Sequence, residues 1–325
     1  MKKKIGWTLF SGIGGADTGM RLAGIDPVLG VECDPYDRKL SEAFINIHKM
    51  NGCDGVRLMT VQEFAMWGCP GLPYNADIAH ISPVCADYSA AKNGIPSHGN
   101  MNMAIASMDA VAAGMPLNFT LEQVPLYRHS PEFAYIKERA IALGYTFNQT
   151  VLNIGAQNGQ SRRRLVVTAS LGDNWRSPFQ KADASWYKTI EDLIPAFAPI
   201  VPTDRQRISA AAWYEKNWSQ TKSPLYVERV TSGKNPKSRG LLELIPTLTK
   251  SKFRDGSQNG RSKVTCLYLP ETDEWLNLSL EAYARLAGFP DTFRYPNNPN
   301  TVGSGFGYCV PPNWYADLLA TMPEN

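Results

Sequence analysis

Four groups of side chains along this 325-residue chain have types and spacing suited to chemistry. The first is Cys85, in Ser82–Ser89 (SPVCADYS), a loop that follows the apolar run Ala76–Ile81. A cysteine at the carboxyl end of a parallel strand lies in the crevice where such sheets bind ligands, and a thiolate there is a nucleophile. The second is Glu122, in Leu121–Pro125 (LEQVP), a carboxyl group at the end of the next apolar run. The third is the guanidinium cluster of Gln160–Arg164 (QSRRR), which read alone is equally a solvated basic turn. The fourth is the glycine-rich turn within Thr8–Gly15 (TLFSGIGG), with Glu32 following 17 residues after Gly15. Such a turn lets a ligand approach backbone N–H groups, and an acid at that distance suits ribose hydroxyls. By itself the turn is as compatible with a tight structural bend.

The elements that must position these groups follow from hydrophobic periodicity. Ile5–Phe10, Pro27–Val31, Ala76–Ile81 and Asn118–Glu122 read as buried strands, and Phe147–Asn153 with Arg164–Ser170 as a later pair. Ala16–Ala23, Asp37–His48 and Ser130–Leu143 have helical spacing. Strand and helix in alternation predict an α/β fold with a mostly parallel sheet covered on both faces. From about Asn174 to Lys237 prolines, tryptophans and basic residues displace the periodicity, and Ser232–Arg239 (SGKNPKSR) reads as a basic loop. Regular patterning returns after Leu241, with helices over Leu278–Gly288 and Pro311–Leu319.

Composition limits the classes. With 43% hydrophobic and 19% charged residues the chain is globular, and its length suggests two domains. No apolar run is long enough to span a bilayer, and the glycine-broken start is not a secretory signal, so a cytoplasmic location is expected. The six cysteines contain no CxxC pair, and the four histidines do not join them at ligand spacing, so neither a zinc site nor a disulfide frame is expected. The net charge of +3 conceals a distribution: +1 over 1–170, +7 over 171–265 and −5 over 266–325. A basic segment on a neutral body is the usual footprint of a polyanion partner.

Order and spacing together make the chain resemble the cytosine-C5 DNA methyltransferase family from Leu9 to about Leu319. Phe10–Gly15 is similar to that family's FxGxGG, Pro83–Ser89 to its nucleophile loop, Glu122–Val124 to ENV, and Gln160–Arg164 to QxRxR. Ile245–Thr249, Leu280–Thr292 and Gly307–Pro311 (GYCVP) resemble the late blocks, the last being GNxVP. The resemblance implies a Rossmann-like methyltransferase fold, with 1–170 and 241–325 forming the catalytic body and 171–240 a small target-recognition domain. It implies S-adenosylmethionine as donor, held by Phe10, Ser11, Gly12, Ile13, Gly14, Gly15, Glu32, Cys33, Pro83, Tyr308, Cys309 and Val310. Cys85, Glu122, Arg162 and Arg164 are the implied catalytic set, with Arg162 or Arg164 helping Cys85 to ionise. Ser89, Gln160, Arg163, Lys234, Lys237 and Arg239 are the implied DNA contacts. The partner would be double-stranded DNA with a flipped cytosine, bound by a monomer without metal, and the loop from Asp87 to about Asn102 would close over the base.

Departures from the family pattern qualify these implications. Val84 stands where proline is usual before the nucleophile, Gln123 replaces the asparagine of ENV, and Val56–Val61 lacks the acid that usually meets the adenine amine. Tyr308 occupies a position where asparagine is usual, which raises a carboxylated analogue of S-adenosylmethionine as a possible donor. A tRNA methyltransferase of the same fold and a catalytically silent binding relative are the alternatives. Trp175, Trp186, Trp213 and Trp218 in the basic segment are expected to form a small core rather than to stack on bases.

Overall fold

A computed structural model describes residues 3–34, 36–83, 101–176, 183–218, 222–229, 235–248 and 264–323. The catalytic body opens β1 (Ile5–Leu9), α1 (Gly15–Leu22), β2 (Asp26–Glu32), α2 (Arg38–Met50), β3 (Val56–Leu58) and α3 (Val61–Met66). It continues through β4 (Ile78–Ile81), α4 (Met101–Gly114), β5 (Asn118–Gln123), α5 (Pro131–Ala142), β6 (Thr146–Asn153), β7 (Gln160–Ser161) and β8 (Arg163–Ser170). Seven of the strands form one sheet in the order β3-β2-β1-β4-β5-β8-β6. The first five run parallel, whereas β8 is antiparallel to both β5 and β6. The expected mostly parallel α/β sheet is therefore observed.

Local sequence accounts for the element ends. Asp37 accepts from the Leu40 N–H at 3.2 Å and starts α2, and Ser130 accepts from the Phe133 N–H at 3.0 Å and starts α5. Thr60 and Glu63 form a reciprocal capping box on α3, a motif worth about 1 kcal/mol. The strands of the parallel core are buried on both faces, as an apolar run between two helix layers requires. The helix α4 had no clear counterpart in the periodicity. Its sequence, MNMAIASMDAVAAG, is small and apolar nearly all round, because it is buried on most of its circumference.

A second, antiparallel sheet has the order β11-β10-β13-β14-β9. It is built from β9 (Ala198–Pro199), β10 (Leu225–Val227), β11 (Ser238–Arg239), β13 (Cys266–Leu269) and β14 (Glu274–Asn277). The helix α6 (Asp204–Lys216) packs on it through Ala210 against Leu225, Val227, Cys266 and Trp275. Two of its five strands thus come from beyond residue 240. Ahead of those two strands in sequence, β12 (Ile245–Pro246) returns to the first lobe and pairs parallel with β7. The chain closes with α7 (Leu280–Leu286), α8 (Pro299–Tyr308) and α9 (Pro312–Leu319). Three of the four tryptophans serve packing. Trp186 is fully buried and donates to the Gly240 carbonyl, Trp175 packs against α9 and donates to Thr321, and Trp213 lies in the second-sheet cluster and donates to Glu243. Trp218 is exposed.

The centre of the parallel sheet holds one ionisable chain. The buried His80 Nδ1 lies 2.9 Å from Thr120 Oγ1, which lies 2.8 Å from the Tyr315 hydroxyl on α9. Burial pulls the His80 pKa down from 6.5 to about 3. The folded state keeps the imidazole neutral, while the unfolded chain protonates it once the pH drops through 6.5. This contribution to stability is complete above that pH and is lost toward pH 3, at about 1.4 kcal/mol per pH unit. Urea unfolding between pH 7 and pH 4.5 is expected to show a shallower loss for His80→Asn than for the wild-type chain, because the amide retains the Thr120 bond without titrating. Parallel curves for the two proteins would disprove the linkage.

Candidate active site

The order of the sheet reverses between β1 and β4, and ligands of such folds bind outside the carboxyl ends of the strands at that point. The glycine turn after β1, Ser82 and Pro83 after β4, and Glu122 near the end of β5 lie at the carboxyl ends of these neighbouring strands.

The turn after β1 is a run of alternating left-handed residues: Phe10 at φ 59°, Gly12 at φ 53° and Gly14 at φ 96°. Within it the Gly12 N–H is taken by the Glu32 carboxylate and the Gly14 N–H by the Ser11 carbonyl at 3.0 Å. Ser11 is buried and ties the turn inward, with Oγ 2.7 Å from Thr8 Oγ1 and its N–H donating to the Val31 carbonyl at 3.1 Å. A Cβ added at Gly12 would meet nothing closer than the Phe10 carbonyl oxygen at 4.0 Å, so the backbone there borders open space. Gly15 has the opposite constraint: a Cβ would lie 2.8 Å from that of Cys309 and collide with the Val310 carbonyl. The late GYCVP segment is therefore a wall of the turn. Ile13 and Val310 are buried in that wall, Cys33 and Cys309 are half-buried and Tyr308 is 62% exposed.

Glu32 closes the other side. It is buried, and its two carboxylate oxygens accept from the Gly12 N–H at 2.8 Å and the Ser41 hydroxyl at 3.2 Å. Burial raises its pKa despite both bonds.

At the end of β5, Glu122 is buried with Arg164 Nε 2.8 Å from Oε1. That contact is a charge pair without hydrogen-bond alignment, so among the described residues Oε1 has no hydrogen-bond donor. Ser82, at the end of β4, donates to the Glu122 carbonyl at 3.2 Å and lies 3.4 Å from Oε2. Gln123 donates from its side-chain amide to the Pro83 carbonyl and accepts from the Val124 N–H at 3.0 Å. It thus ties the end of β5 to the start of the segment that carries Cys85. Val84, Cys85 and Ser89, most of the expected closing loop and Lys234 lie outside the described residues; Met101 and Asn102 already belong to α4.

The QSRRR segment divides at the break between β7 and β8. Arg162 is buried and donates to the carbonyls of Gly307 at 3.1 Å and Cys309 at 2.7 Å, so it anchors the late wall. Arg164 reaches Glu122, and Arg163 between them is exposed. Gln160 departs from its expected DNA contact. It is 1% exposed, donates to the Leu286 carbonyl and accepts from the Leu248 N–H at 3.1 Å, so both ends of its amide are used inside the protein. In the second lobe Lys237 is exposed and Arg239 half-buried.

Sequence reasoning overlooked Ser82, the reach of Gln123 and the buried His48, whose Nε2 lies 3.1 Å from the Gly12 carbonyl oxygen. Ser82 stands beside Pro83 in a quoted motif and was findable, but a lone histidine at the end of an amphipathic helix carries no signal in the pattern.

The model for the family described as C-5 cytosine-specific DNA methylase matches residues 6–323. The chain belongs to this family. No curated protein matches it closely enough to count as a relative. Among solved structures, the Dnmt2 methyltransferase of S. pombe is similar over 98% of both chains, with 14% identity and a TM-score of 0.62. A Spodoptera frugiperda DNMT2 mutant is similar over 99% of this chain and 100% of its own, with 15% identity and a TM-score of 0.63. A putative DNA modification methyltransferase encoded within an E. coli prophage covers 98% of this chain and 99% of its own, with 16% identity and a TM-score of 0.58. At these identities the likeness is one of fold. C-5 cytosine-specific DNA methylases use S-adenosylmethionine. The open backbone at Gly12, the left-handed turn and the buried Glu32 carboxylate fit such a group, which combines an amino acid carboxylate with a ribose. Among the described residues no helix is long and apolar enough to cross a membrane.

Proposed function

We propose that this C-5 cytosine-specific DNA methylase transfers a methyl group to carbon-5 of a cytosine flipped out of double-stranded DNA. The observation that carries this reading is the Glu122 carboxylate. It is buried near the end of β5, one strand from the switch point, and held by Ser82 and Arg164, yet among the described residues one of its oxygens lacks a hydrogen-bond donor. A buried acceptor of that kind is costly unless a ligand completes it, and the amino edge of cytosine is a suitable donor.

Carbon-5 of cytosine is a weak nucleophile. The Cys85 thiolate adds to carbon-6, and the electron pair displaced from the double bond makes carbon-5 nucleophilic. Glu122 binds the N3 and N4 edge and offsets charge developing on the ring. Bound S-adenosylmethionine supplies the methyl electrophile, and the turn at Phe10–Gly15 with Glu32, Cys33, Pro83, Tyr308, Cys309 and Val310 forms its site. After loss of the carbon-5 proton, Cys85 leaves by β-elimination. Arg164 orients Glu122, and Arg162 acts by holding the late wall. Arg163, Lys237 and Arg239 neutralise phosphates, in keeping with the basic middle of the chain.

Incubating the purified protein with tritiated S-adenosylmethionine and either plasmid DNA or tRNA tests the substrate. Label in plasmid is expected, and label confined to tRNA would overturn the DNA assignment. Nucleoside mass spectrometry of the product is expected to show 5-methylcytosine. A carboxymethylated base formed when the carboxylated analogue is supplied would instead assign the modified donor that Tyr308 raises.

A further inference from the structure

Gly12 is gripped through both of its flanking peptides. Its N–H donates to Glu32 on β2 at 2.8 Å, and its carbonyl oxygen lies 3.1 Å from Nε2 of His48 on α2. A carbonyl is only an acceptor, so Nε2 carries the hydrogen. His48 is 2% exposed, and its ring lies flat against the turn: a Cβ at Gly14 would come within 2.9 Å of Cε1 and 3.2 Å of Nδ1. Gly14 therefore serves the motif twice, once by adopting φ 96° and once by leaving room for this ring.

The histidine is itself held from behind. Asp17 on α1 and Cys53 after α2 are both buried, and the ligand-type atoms of Asp17, His48 and Cys53 all lie within 4.8 Å of one another. Asp17 accepts from Thr8 Oγ1 at 3.1 Å, and the attraction of His48 opposes the burial that raises the Asp17 pKa. Neither the FxGxGG pattern nor the chemistry proposed above uses these three residues.

We infer that His48 is a positioning residue for the cofactor turn: its Nε2–H holds the Gly12 carbonyl, so the Ile13 N–H, which points the opposite way in the same trans peptide, keeps its orientation toward the cofactor. A glycine at positive φ has little intrinsic resistance to a peptide flip, and a flipped carbonyl would set an acceptor against the cofactor's carboxylate. The inference rests on the proposed cofactor role of the turn.

Calorimetric titration of S-adenosylmethionine into wild type, His48→Ala and His48→Gln tests it, alongside steady-state kinetics and thermal unfolding. His48→Ala is expected to weaken binding roughly tenfold, about the worth of one backbone hydrogen bond, and to raise the cofactor KM more than it lowers kcat. His48→Gln places an amide N–H where Nε2 was and should recover most of the affinity. Equal affinity of His48→Ala and wild type, or a glutamine variant as weak as alanine at equal thermal stability, would overturn the inference. If wild type fails to bind S-adenosylmethionine, the reading of the site falls and takes the inference with it. Elemental analysis of the purified protein is expected to find no stoichiometric metal. An ion lost together with Cys53→Ser would overturn the hydrogen-bonded brace, because His48 would then be a ligand.

Discussion

Glu122→Gln is expected to lower kcat roughly 10²–10⁴-fold, the usual worth of a positioned acid or base, with little change in cofactor affinity. Glutamine matches the size of the side chain and retains one carbonyl-type oxygen, so the Ser82 contact survives. It removes the negative charge that pairs with Arg164 at 2.8 Å and the ability to carry a proton. The ground-state pocket is therefore nearly unchanged, whereas the compensation of charge on the ring is lost. Rapid-quench single-turnover assays separate the methyl-transfer step from product release, and calorimetry reports the cofactor affinity. A kcat within twofold of wild type would remove Glu122 from the mechanism.

Cys85→Ala is expected to abolish transfer and to abolish the covalent adduct with 5-fluorocytosine DNA, while cofactor binding persists. Cys85 lies outside the described residues, but the other five thiols narrow the choice. Burial pushes Cys53 and Cys309 up to about 12 and raises Cys33, Cys69 and Cys266 as well. A thiol held above its ordinary range is protonated at neutral pH and unreactive. Brief alkylation with iodoacetamide followed by peptide mapping should find inactivation tracking modification of Cys85. Full turnover by Cys85→Ala would refute covalent catalysis by this residue.

Much of this site was legible because its parts are local. Strand ends, a glycine turn and an acid at a fixed distance are features of short segments, and Glu32 and Glu122 lie at the strand ends where the pattern places them. What was not legible depends on residues distant in sequence. His48 acts on Gly12 from 36 residues away, and no periodicity distinguishes a brace from an ordinary helix residue. The family resemblance implies a DNA contact for Gln160, yet its pairing with Leu248 and Leu286 exists only after the late segments return to the body. The second sheet takes β13 and β14 from a stretch whose charge and texture differ from those of the basic block. Composition marks a change of surface, not the point at which a sheet is complete. Arg162 and Arg164 looked equivalent in sequence. Arg162 falls in the break between β7 and β8 and donates to two carbonyls, whereas Arg164 lies within β8 and reaches a carboxylate.

The close approach of Gly15 to Cys309 and Val310 has a consequence for biosynthesis. The turn is synthesised well before the wall that faces it. Gly19 and Tyr315 extend the same seam, a Cβ at Gly19 falling 2.8 Å from the tyrosine ring. The segments that carry Cys85, Glu122 and the basic block all precede that wall in the chain. A chain that stops between the basic block and Val310 would therefore lack one side of the proposed donor pocket, so synthesis of this late segment is itself a condition for the proposed activity.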